Sequence, residues 1–203
     1  MSLDRRAMLA TGLALVAVPV AARAAPLAPA PGDMVLGSAK APGQLVVYAS
    51  PSCPHCAHWW TTDLPVLRQQ LIDPGKARLV FREYLTPPNE FAAAAFLLAR
   101  RAGPARYFEA LGAIFARQTE IFESGELWEG LLVVGKSLGL TEPQFTAALS
   151  DPAGLEAVNV RFRQGLAQGV EVTPTFYANG TPFEGEASVA QLTRILAAPA
   201  AKR

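Results

Sequence analysis

The chain has 203 residues, a formal net charge of +1 and a hydrophobic content of 51%. This length suits one domain whose core is large enough to fold without disulfide staples, so its two cysteines are not required as scaffolding. The near-neutral charge and the lack of a basic run argue against nucleic acid or an anionic membrane surface as a partner. No repeat of about 20 to 50 residues is visible, which excludes solenoid proteins.

The N-terminal 24 residues have the pattern of an export signal. Arg5 and Arg6 precede an apolar stretch, residues 13–20, and Ala22-Arg23-Ala24 fits a small-x-small cleavage site. A membrane anchor is the alternative, but the stretch falls short of the ~20 apolar residues that a span needs and contains Pro19. We therefore expect residues 1–24 to be a cleaved signal peptide, and the paired arginines favour the twin-arginine route.

The next segments predict a linker followed by two strands. Residues 25–32 are rich in proline and lack periodicity, as in a short linker. Two apolar, β-branched runs, Gln44 to Ser50 and Ala77 to Leu85, indicate buried strands, and residues 33–37 indicate a weaker one. Residues 33–88 are therefore predicted to form the first part of an α/β core.

Helical patterns occupy the space between these strands and most of the chain after them. The spacing of apolar residues predicts a helix from Cys53 to Ile72, which Pro65 is expected to kink or break because it has no N–H donor. Residues 89–169 are rich in alanine and leucine and predict four or five helices. They are expected to form an inserted helical subdomain.

Strand signals return near the C-terminus, in residues 170–198. Thr175 to Ala178 and Thr181 to Glu184 flank Asn179-Gly180, a dipeptide typical of a tight hairpin turn. A final helix is predicted from Ser188 to Ala197. This segment is expected to complete the α/β core.

The two cysteines, Cys53 and Cys56, lie where the second strand gives way to the first helix. At a helix start a sulfur faces unpaired backbone N–H groups and the positive end of the helix dipole, which lower a cysteine pKa from ~8.5 to roughly 3.5 to 7.5. We predict that Cys53 is a nucleophile and that Cys56, one turn later, resolves its mixed disulfides. Pro54 suits the first helical position, and His55 is expected to stabilise the thiolate and tune the redox potential.

Three other interpretations of the CPHC motif are weaker. A zinc site would need all of its ligands from one turn, including His55 and His58, because the chain has no second cysteine or histidine pair. Haem attachment requires a histidine directly after the second cysteine, where Ala57 stands. An inert disulfide closing four residues gains less entropy than one closing a long loop. The motif therefore favours redox chemistry without metal or cofactor, with the zinc site and the inert disulfide as minor alternatives.

Three segments, SPSCPHCAHWW, LVFREYL and VTPTFYANG, occur in this order around the predicted helical insertion. With them the chain resembles, over residues 33–198, the DsbA-like thiol:disulfide oxidoreductases of the thioredoxin superfamily. The resemblance implies an α/β fold, a thioredoxin-like core with an inserted α-helical subdomain, and a cis-proline loop beside the cysteines. It implies that Pro174 is the cis proline and that Thr173 contacts the active-site sulfurs and offers backbone groups to an extended substrate peptide.

One position departs from the family pattern. Well-known members carry a buried acidic residue six positions before the first cysteine, as a proton acceptor, whereas this chain has Val47 there. Another group or water must then handle the proton of Cys56. Glu83 is a candidate if its side chain points inward.

Several further residues are expected to be structural. Trp59 and Trp60 fit the core better than a peptide-docking surface, and His58 fits a partly exposed helix position without a catalytic role. Four arginines of the insertion are expected on solvated helix faces: Arg100, Arg101, Arg106 and Arg117.

Motif and resemblance together predict an exported, periplasmic enzyme that exchanges its Cys53-Cys56 disulfide with thiols of secreted proteins, as an oxidant. The implied partners are unfolded or reduced secreted proteins and a quinone-linked membrane protein that reoxidises the enzyme; a monomer is expected. One alternative is a disulfide reductase or isomerase. Another, from a different class, is a peptide-binding chaperone in which the CxxC motif is incidental.

Overall fold

A computed structural model describes residues 29–185 and 187–197, so the predicted signal peptide lies outside the described residues. The strands are β1 Met34–Leu36, β2 Gly43–Ala49, β3 Ala77–Glu83, β4 Thr175–Ala178 and β5 Thr181–Glu184. They form one sheet in the order β1-β3-β2-β4-β5, in which β2 and β3 are parallel and the other neighbours antiparallel. The predicted strands are confirmed, with ends that differ by one or two residues.

The Asn-Gly hairpin between β4 and β5 is also confirmed. Asn179 and Gly180 have φ angles of 47° and 90°, the left-handed conformation that a two-residue hairpin of this kind requires. The Asn179 side chain accepts a hydrogen bond from the Gln44 backbone N–H and donates one to the carbonyl of Ile195, both at 2.9 Å. The turn thereby attaches the sheet to the C-terminal helix.

The first helical region runs from Pro54 to Ile72 and continues past Pro65, which was expected to kink or break it. Its α-helical parts are α1 Pro54–His58 and α2 Leu64–Leu67, each followed by a π-helical segment, Trp59–Asp63 and Arg68–Ile72. The backbone N–H of Leu64 bonds the carbonyl of Trp59, five residues earlier. Because the π-helical turn shifts the bonding pattern just before Pro65, the missing donor falls at the first turn of α2, where proline is tolerated.

Five helices separate β3 from β4. They are α3 Asn89–Arg101, α4 Tyr107–Ser124, α5 Leu127–Ser137, α6 Glu142–Leu149 and α7 Pro152–Ala167, and α8 Val189–Ala197 follows the hairpin. Within the described ranges every helix is too short or too polar to cross a bilayer.

The sheet is covered on both faces. Leu45, Val47 and Ala49 of β2 point into the main core, whereas Val46 and Tyr48 point to a smaller cluster on the opposite face. That second face is covered by α7, which approaches closely at a glycine. A Cβ at Gly165 would lie 2.9 Å from the ring of Tyr84, so a larger residue there would push α7 off the sheet.

The end of the predicted linker is tied to the core. Residues 30–33 form a turn in which the Asp33 backbone N–H bonds the Ala30 carbonyl at 3.0 Å. Asp33 and Arg82 form an ion pair at 3.0 Å whose side chains are only 3% and 8% exposed. Because both charges are shielded from solvent, removing either partner would leave the other buried and unpaired, so the pair ties the segment before β1 to β3.

Candidate active site

Cys53 is the N-cap residue of α1. Its backbone is extended, with φ −85° and ψ 121°, and Pro54 follows at the first helical position, as predicted. The Cys53 N–H donates to the Ser50 carbonyl at 3.1 Å, and the Cys53 carbonyl accepts from Ala57 N–H at 3.1 Å. The nucleophile candidate is therefore fixed by a tight turn on one side and the helix on the other.

Both cysteines are free thiols, and they differ in exposure. Cys53 is 7% exposed and Cys56 is fully buried. Cys53 is therefore the more accessible of the two thiols, although little of the residue meets solvent.

The same arrangement separates the two thiol pKa values. The pKa of Cys53 is lowered to about 5, chiefly by a hydrogen bond from the Cys56 thiol; burial opposes this, and the Thr173 side chain and the backbone N–H groups of Cys56 and His55 assist it. The pKa of Cys56 is raised well above its ordinary value, chiefly by burial and then by the neighbouring Cys53. At neutral pH Cys53 is a thiolate and Cys56 a thiol.

The loop before β4 meets the nucleophile. The Thr173-Pro174 peptide bond is cis, as predicted, and a second cis bond joins Pro87 to Pro88. The Cys53 Sγ lies 3.3 Å from the Thr173 carbonyl oxygen. The structure therefore brings together Cys53, Cys56, Thr173 and Pro174, although 120 residues separate the loop from the motif.

A depression of ≈ 180 Å³ lies beside this cluster. It is lined by His55, His58, Trp59, Asp63, Pro174 and Ser188, among others. His55 and His58 are exposed, and Pro54 is exposed between the two cysteines. The surface next to Cys53 thus combines polar and apolar side chains. The tryptophans are core residues, as predicted, at 3% and 8% exposure.

Glu83 does point inward, but its carboxylate is engaged by cations. Arg100 Nε donates to one carboxylate oxygen and Arg161 Nε to the other, each at 2.6 Å, and the Tyr107 hydroxyl donates at 3.0 Å. Within the described residues, these contacts occupy both carboxylate oxygens of Glu83, and neither oxygen bonds to Cys56. The expectation that Arg100 lies on a solvated face is wrong, because it reaches from the end of α3 to this buried charge.

Val47 occupies the position of the missing acid. It is fully buried and lies in register between Phe81 of β3 and Phe176 of β4. The region under the motif is therefore apolar.

Sequence reasoning missed the residues that hold the loop from Ser50 to Cys53. Gln118 of α4 is 4% exposed and donates its side-chain N–H groups to the carbonyls of Pro51, at 2.5 Å, and Cys53, at 3.0 Å. Ser52 bonds the hydroxyl of Thr86 at 2.7 Å. Both partners are distant in sequence, so no local pattern marks them.

Comparison with known proteins agrees with this geometry. The family model described as "Thioredoxin" matches residues 29–198. The fold is similar to Wolbachia pipientis alpha-DsbA1 (TM-score 0.75, 21% identity, 83% of this chain and 90% of that one). It is also similar to a protein-disulfide isomerase from Novosphingobium aromaticivorans (TM-score 0.69, 20% identity, 81% and 97%). The α/β, thioredoxin-like fold expected from the resemblance is confirmed.

Sequence similarity extends to proteins of Rickettsia. The chain is 32% identical over 155 residues to a Rickettsia bellii protein named "Putative protein-disulfide oxidoreductase", a match that covers 75% of this chain and 59% of that protein. The chain thus spans less than two thirds of the length of the curated relatives it matches.

Proposed function

Because the chain belongs to the thioredoxin family, we propose that it is an exported thiol:disulfide oxidoreductase that passes its Cys53-Cys56 disulfide to thiols of secreted proteins. The observation that carries the proposal is the pair of adjacent thiols with opposite pKa shifts: the pKa of Cys53, whose sulfur lies 3.3 Å from the Thr173 carbonyl oxygen, is lowered, and the pKa of the buried Cys56 is raised. Such a pair separates the roles of attacked sulfur and leaving sulfur.

The reaction begins when a substrate thiolate attacks Cys53 Sγ of the disulfide form. A bond forms between the substrate sulfur and Cys53, the Cys53-Cys56 bond breaks, and Cys56 leaves with the electron pair and takes up a proton. A second substrate thiolate then attacks the first substrate sulfur, and Cys53 leaves as a thiolate. The substrate gains a disulfide and loses two electrons, and the enzyme holds them as one thiolate and one thiol.

The direction of exchange follows from the second step. Cys53 leaves readily as a thiolate because its pKa is about 5, so the mixed disulfide breaks in favour of the oxidised substrate. The docking of the substrate is assigned to Thr173 and Pro174, because the Thr173 carbonyl oxygen lies beside the attacked sulfur. His55 and Pro54 set the environment of the thiolate at the helix start.

The cellular setting rests on the sequence. A basic segment, an apolar stretch and a small-x-small site in residues 1–24 support export to the periplasm, with the paired arginines favouring the twin-arginine route. There the substrates are reduced or unfolded secreted proteins, and a quinone-linked membrane protein restores the disulfide of a monomeric enzyme.

Two assays run side by side test the proposal. The oxidised protein is mixed with a reduced peptide carrying two cysteines, and its reduced form is tested for insulin reduction; Cys53→Ser is the inactive control. Rapid peptide oxidation with slow insulin reduction is expected. The reverse order of rates would identify a reductase or isomerase, and the lack of any reversible dithiol and disulfide states in a glutathione titration would refute exchange altogether.

A further inference from the structure

Cys56 must leave as a thiolate from a buried and apolar position. Its side chain is fully buried, and Val47, which stands where an acid is found in well-known relatives, is fully buried as well. A charged sulfur in such a place is unfavourable unless a hydrogen-bond donor faces it. The described structure offers one from the backbone: the Ser50 N–H donates to Cys56 Sγ, with 3.4 Å between the nitrogen and the sulfur.

A cluster of three hydroxyl groups holds the residue that carries this donor. We call Ser50, Ser52 and Thr86 the hydroxyl cluster. The Ser50 and Ser52 oxygens are 3.0 Å apart, and the Ser52 and Thr86 oxygens 2.7 Å apart. The Ser52 hydroxyl also lies 2.6 Å from the Thr86 carbonyl, and the Thr86 N–H donates to the Ser50 hydroxyl oxygen at 3.3 Å. The cluster therefore closes a ring between the loops that follow β2 and β3.

We propose that the Ser50 N–H is the group that stabilises the departing Cys56 sulfur, and that Ser52 and Thr86 act as positioning residues that keep this N–H directed at it. The inference rests on the proposed function. It adds an explanation of how Cys56 can leave although Val47 stands in place of the acid. It resembles in principle the fixed backbone donors that stabilise a developing negative charge in acyl transfer.

The chemistry requires this donor in both directions of exchange. In substrate oxidation it stabilises Cys56 as the bond to Cys53 breaks and before a proton arrives. In the reverse direction it increases the fraction of Cys56 that is ionised and able to attack a mixed disulfide on Cys53. Consistently, the Ser50 N–H has the larger of the two hydrogen-bond effects that lower the pKa of Cys56 against burial; the smaller one comes from Thr173.

A positioning role for the hydroxyl cluster predicts different effects on the two thiols, whereas a general structural role does not. The pKa of Cys53 is set by Cys56, by burial, by Thr173 and by nearby backbone N–H groups, and the hydroxyl cluster is not among these causes. Loosening the cluster should therefore change the ionisation of Cys56 and leave that of Cys53 in place. Thr86 gives a matched pair, because Thr86→Val removes the hydroxyl at nearly constant shape and Thr86→Ser keeps it.

The experiment uses the full chain with glutathione attached to Cys53 as a mixed disulfide. Cys56 attacks Cys53 Sγ, the bond to glutathione breaks, and the release of glutathione is followed from pH 5 to pH 10. Because hydrogen bonds to charged groups are strong, Thr86→Val is expected to slow release about three- to tenfold at pH 7 and to raise the midpoint of the pH profile by about half a unit to one unit. Thr86→Ser should stay within about twofold of the wild type.

Two further measurements keep the outcome unambiguous. The titration of Cys53, followed by thiolate absorbance, should stay near pH 5 in every variant. Ser52→Ala removes the contacts of the Ser52 hydroxyl with Ser50, with the Thr86 hydroxyl and with the Thr86 carbonyl together, so it should slow release at least as much as Thr86→Val. Thr146→Val on an exposed face of α6 should behave as the wild type. An unchanged rate and midpoint in folded Ser52→Ala or Thr86→Val would overturn the inference, whereas failure of the wild type to release glutathione would instead overturn the proposed function.

Discussion

At the scale of single residues, the Cys56 thiol donates a hydrogen bond to the Cys53 sulfur, and this bond is the largest of the effects that lower the pKa of Cys53 to about 5. Removing the donor should therefore weaken the nucleophile that it supports. Cys56→Ala is expected to raise the pKa of Cys53 by about one unit or more, and Cys56→Ser, which keeps a donor, by less. Absorbance of the thiolate at varied pH measures both; equal midpoints in the wild type and Cys56→Ala would contradict the assignment.

The chemistry of the CPHC motif could be predicted from its immediate neighbours. The apolar run before Cys53 and the proline after it indicate a strand and a helix start, and unpaired N–H groups at a helix start lower a thiol pKa in any fold. The main support of the thiolate was not predicted, because it comes from the Cys56 thiol and depends on the side-chain geometry of the first turn. The contact of the Thr173 loop with Cys53 follows from the family resemblance and not from any local pattern, because that loop lies 120 residues away.

At the scale of elements, α4 is joined to the active-site loop by one side chain. Gln118 donates to the carbonyls of Pro51 and Cys53 from a buried position. Gln118→Met keeps the volume but leaves the Pro51 carbonyl without this donor, so we expect a loss of about 1 to 3 kcal/mol in the free energy of unfolding. Denaturant unfolding measures it, with Gln164→Met on the exposed side of α7 as a control within about 0.5 kcal/mol. Equal losses in the two variants would show that the contact does not stabilise the loop.

The buried carboxylate of Glu83 joins β3 to three helices through Arg100 of α3, Tyr107 of α4 and Arg161 of α7. Glu83→Gln would leave two guanidinium groups facing a neutral amide, and the unfolding free energy should fall by about 3 to 5 kcal/mol. Denaturant unfolding again gives the value. Glu156→Gln, which breaks the exposed pair with Arg163, should cost less than about 1 kcal/mol.

The same variant tests the alternative role of Glu83. If this carboxylate accepted the proton of Cys56, Glu83→Gln would shift the pH profile of exchange. We expect the profile of the folded fraction to stay as in the wild type, because both oxygens are already bonded to side chains other than Cys56. A shifted profile with Cys53 titrating normally would show that the network does take part in proton transfer.

The elements themselves were largely predictable, and their connections were not. Alternation and turn residues are local, so the strands and the Asn-Gly hairpin appear close to where they were expected. Pro65 is expected to kink or break the helix because it removes a donor, yet the π-helical turn from Trp59 to Asp63 accommodates it. Arg100 was read as solvated because its partner lies 17 residues earlier in another element. Periodicity identifies which face of a helix is buried, but it does not identify a charged partner that another element places against that face.

At the scale of the whole molecule, one core extends from the sheet into the inserted helices. Trp60 of the first helical region contacts Phe81 of β3 at 5.6 Å and Phe115 of α4 at 4.8 Å between ring centroids. Since the sheet, the motif helix and α4 share these side chains, a change at the cysteines is expected to alter the stability of the entire fold. The redox state should therefore be visible in global unfolding.

Two opposing effects decide which redox form is more stable. Closing a four-residue loop by a disulfide stabilises the oxidised form by about 2 kcal/mol in the chain-entropy model. In the reduced form the pKa of Cys53 falls from ~8.5 unfolded to about 5 folded. At pH 7, two units above the folded pKa, Cys53 is a thiolate in the folded protein, whereas it is still a protonated thiol in the unfolded chain. This difference stabilises the reduced form by about 2.7 kcal/mol.

The balance should reverse with pH. Because the folded pKa is the lower one, the thiolate contribution is present between the folded and unfolded pKa values, is complete above ~8.5 and is lost as the pH falls through about 5. We therefore expect the reduced form to be more stable by about 1 kcal/mol at pH 7 and the oxidised form by about 2 kcal/mol at pH 4. Cys56 stays protonated throughout this range in the reduced form, because burial raises its pKa, and does not disturb the comparison.

Denaturant unfolding of both redox forms at pH 4 and pH 7 measures this difference. The change in relative stability between the two pH values is the decisive quantity, since groups common to both forms cancel. A Cys53→Ala, Cys56→Ala double variant has neither a disulfide nor a thiolate, so its stability relative to the oxidised form should stay constant. If the reduced form instead showed no gain of about 2.7 kcal/mol between pH 4 and pH 7, Cys53 would not be held as a thiolate in the fold, and the argument for an oxidising enzyme would lose its physical basis.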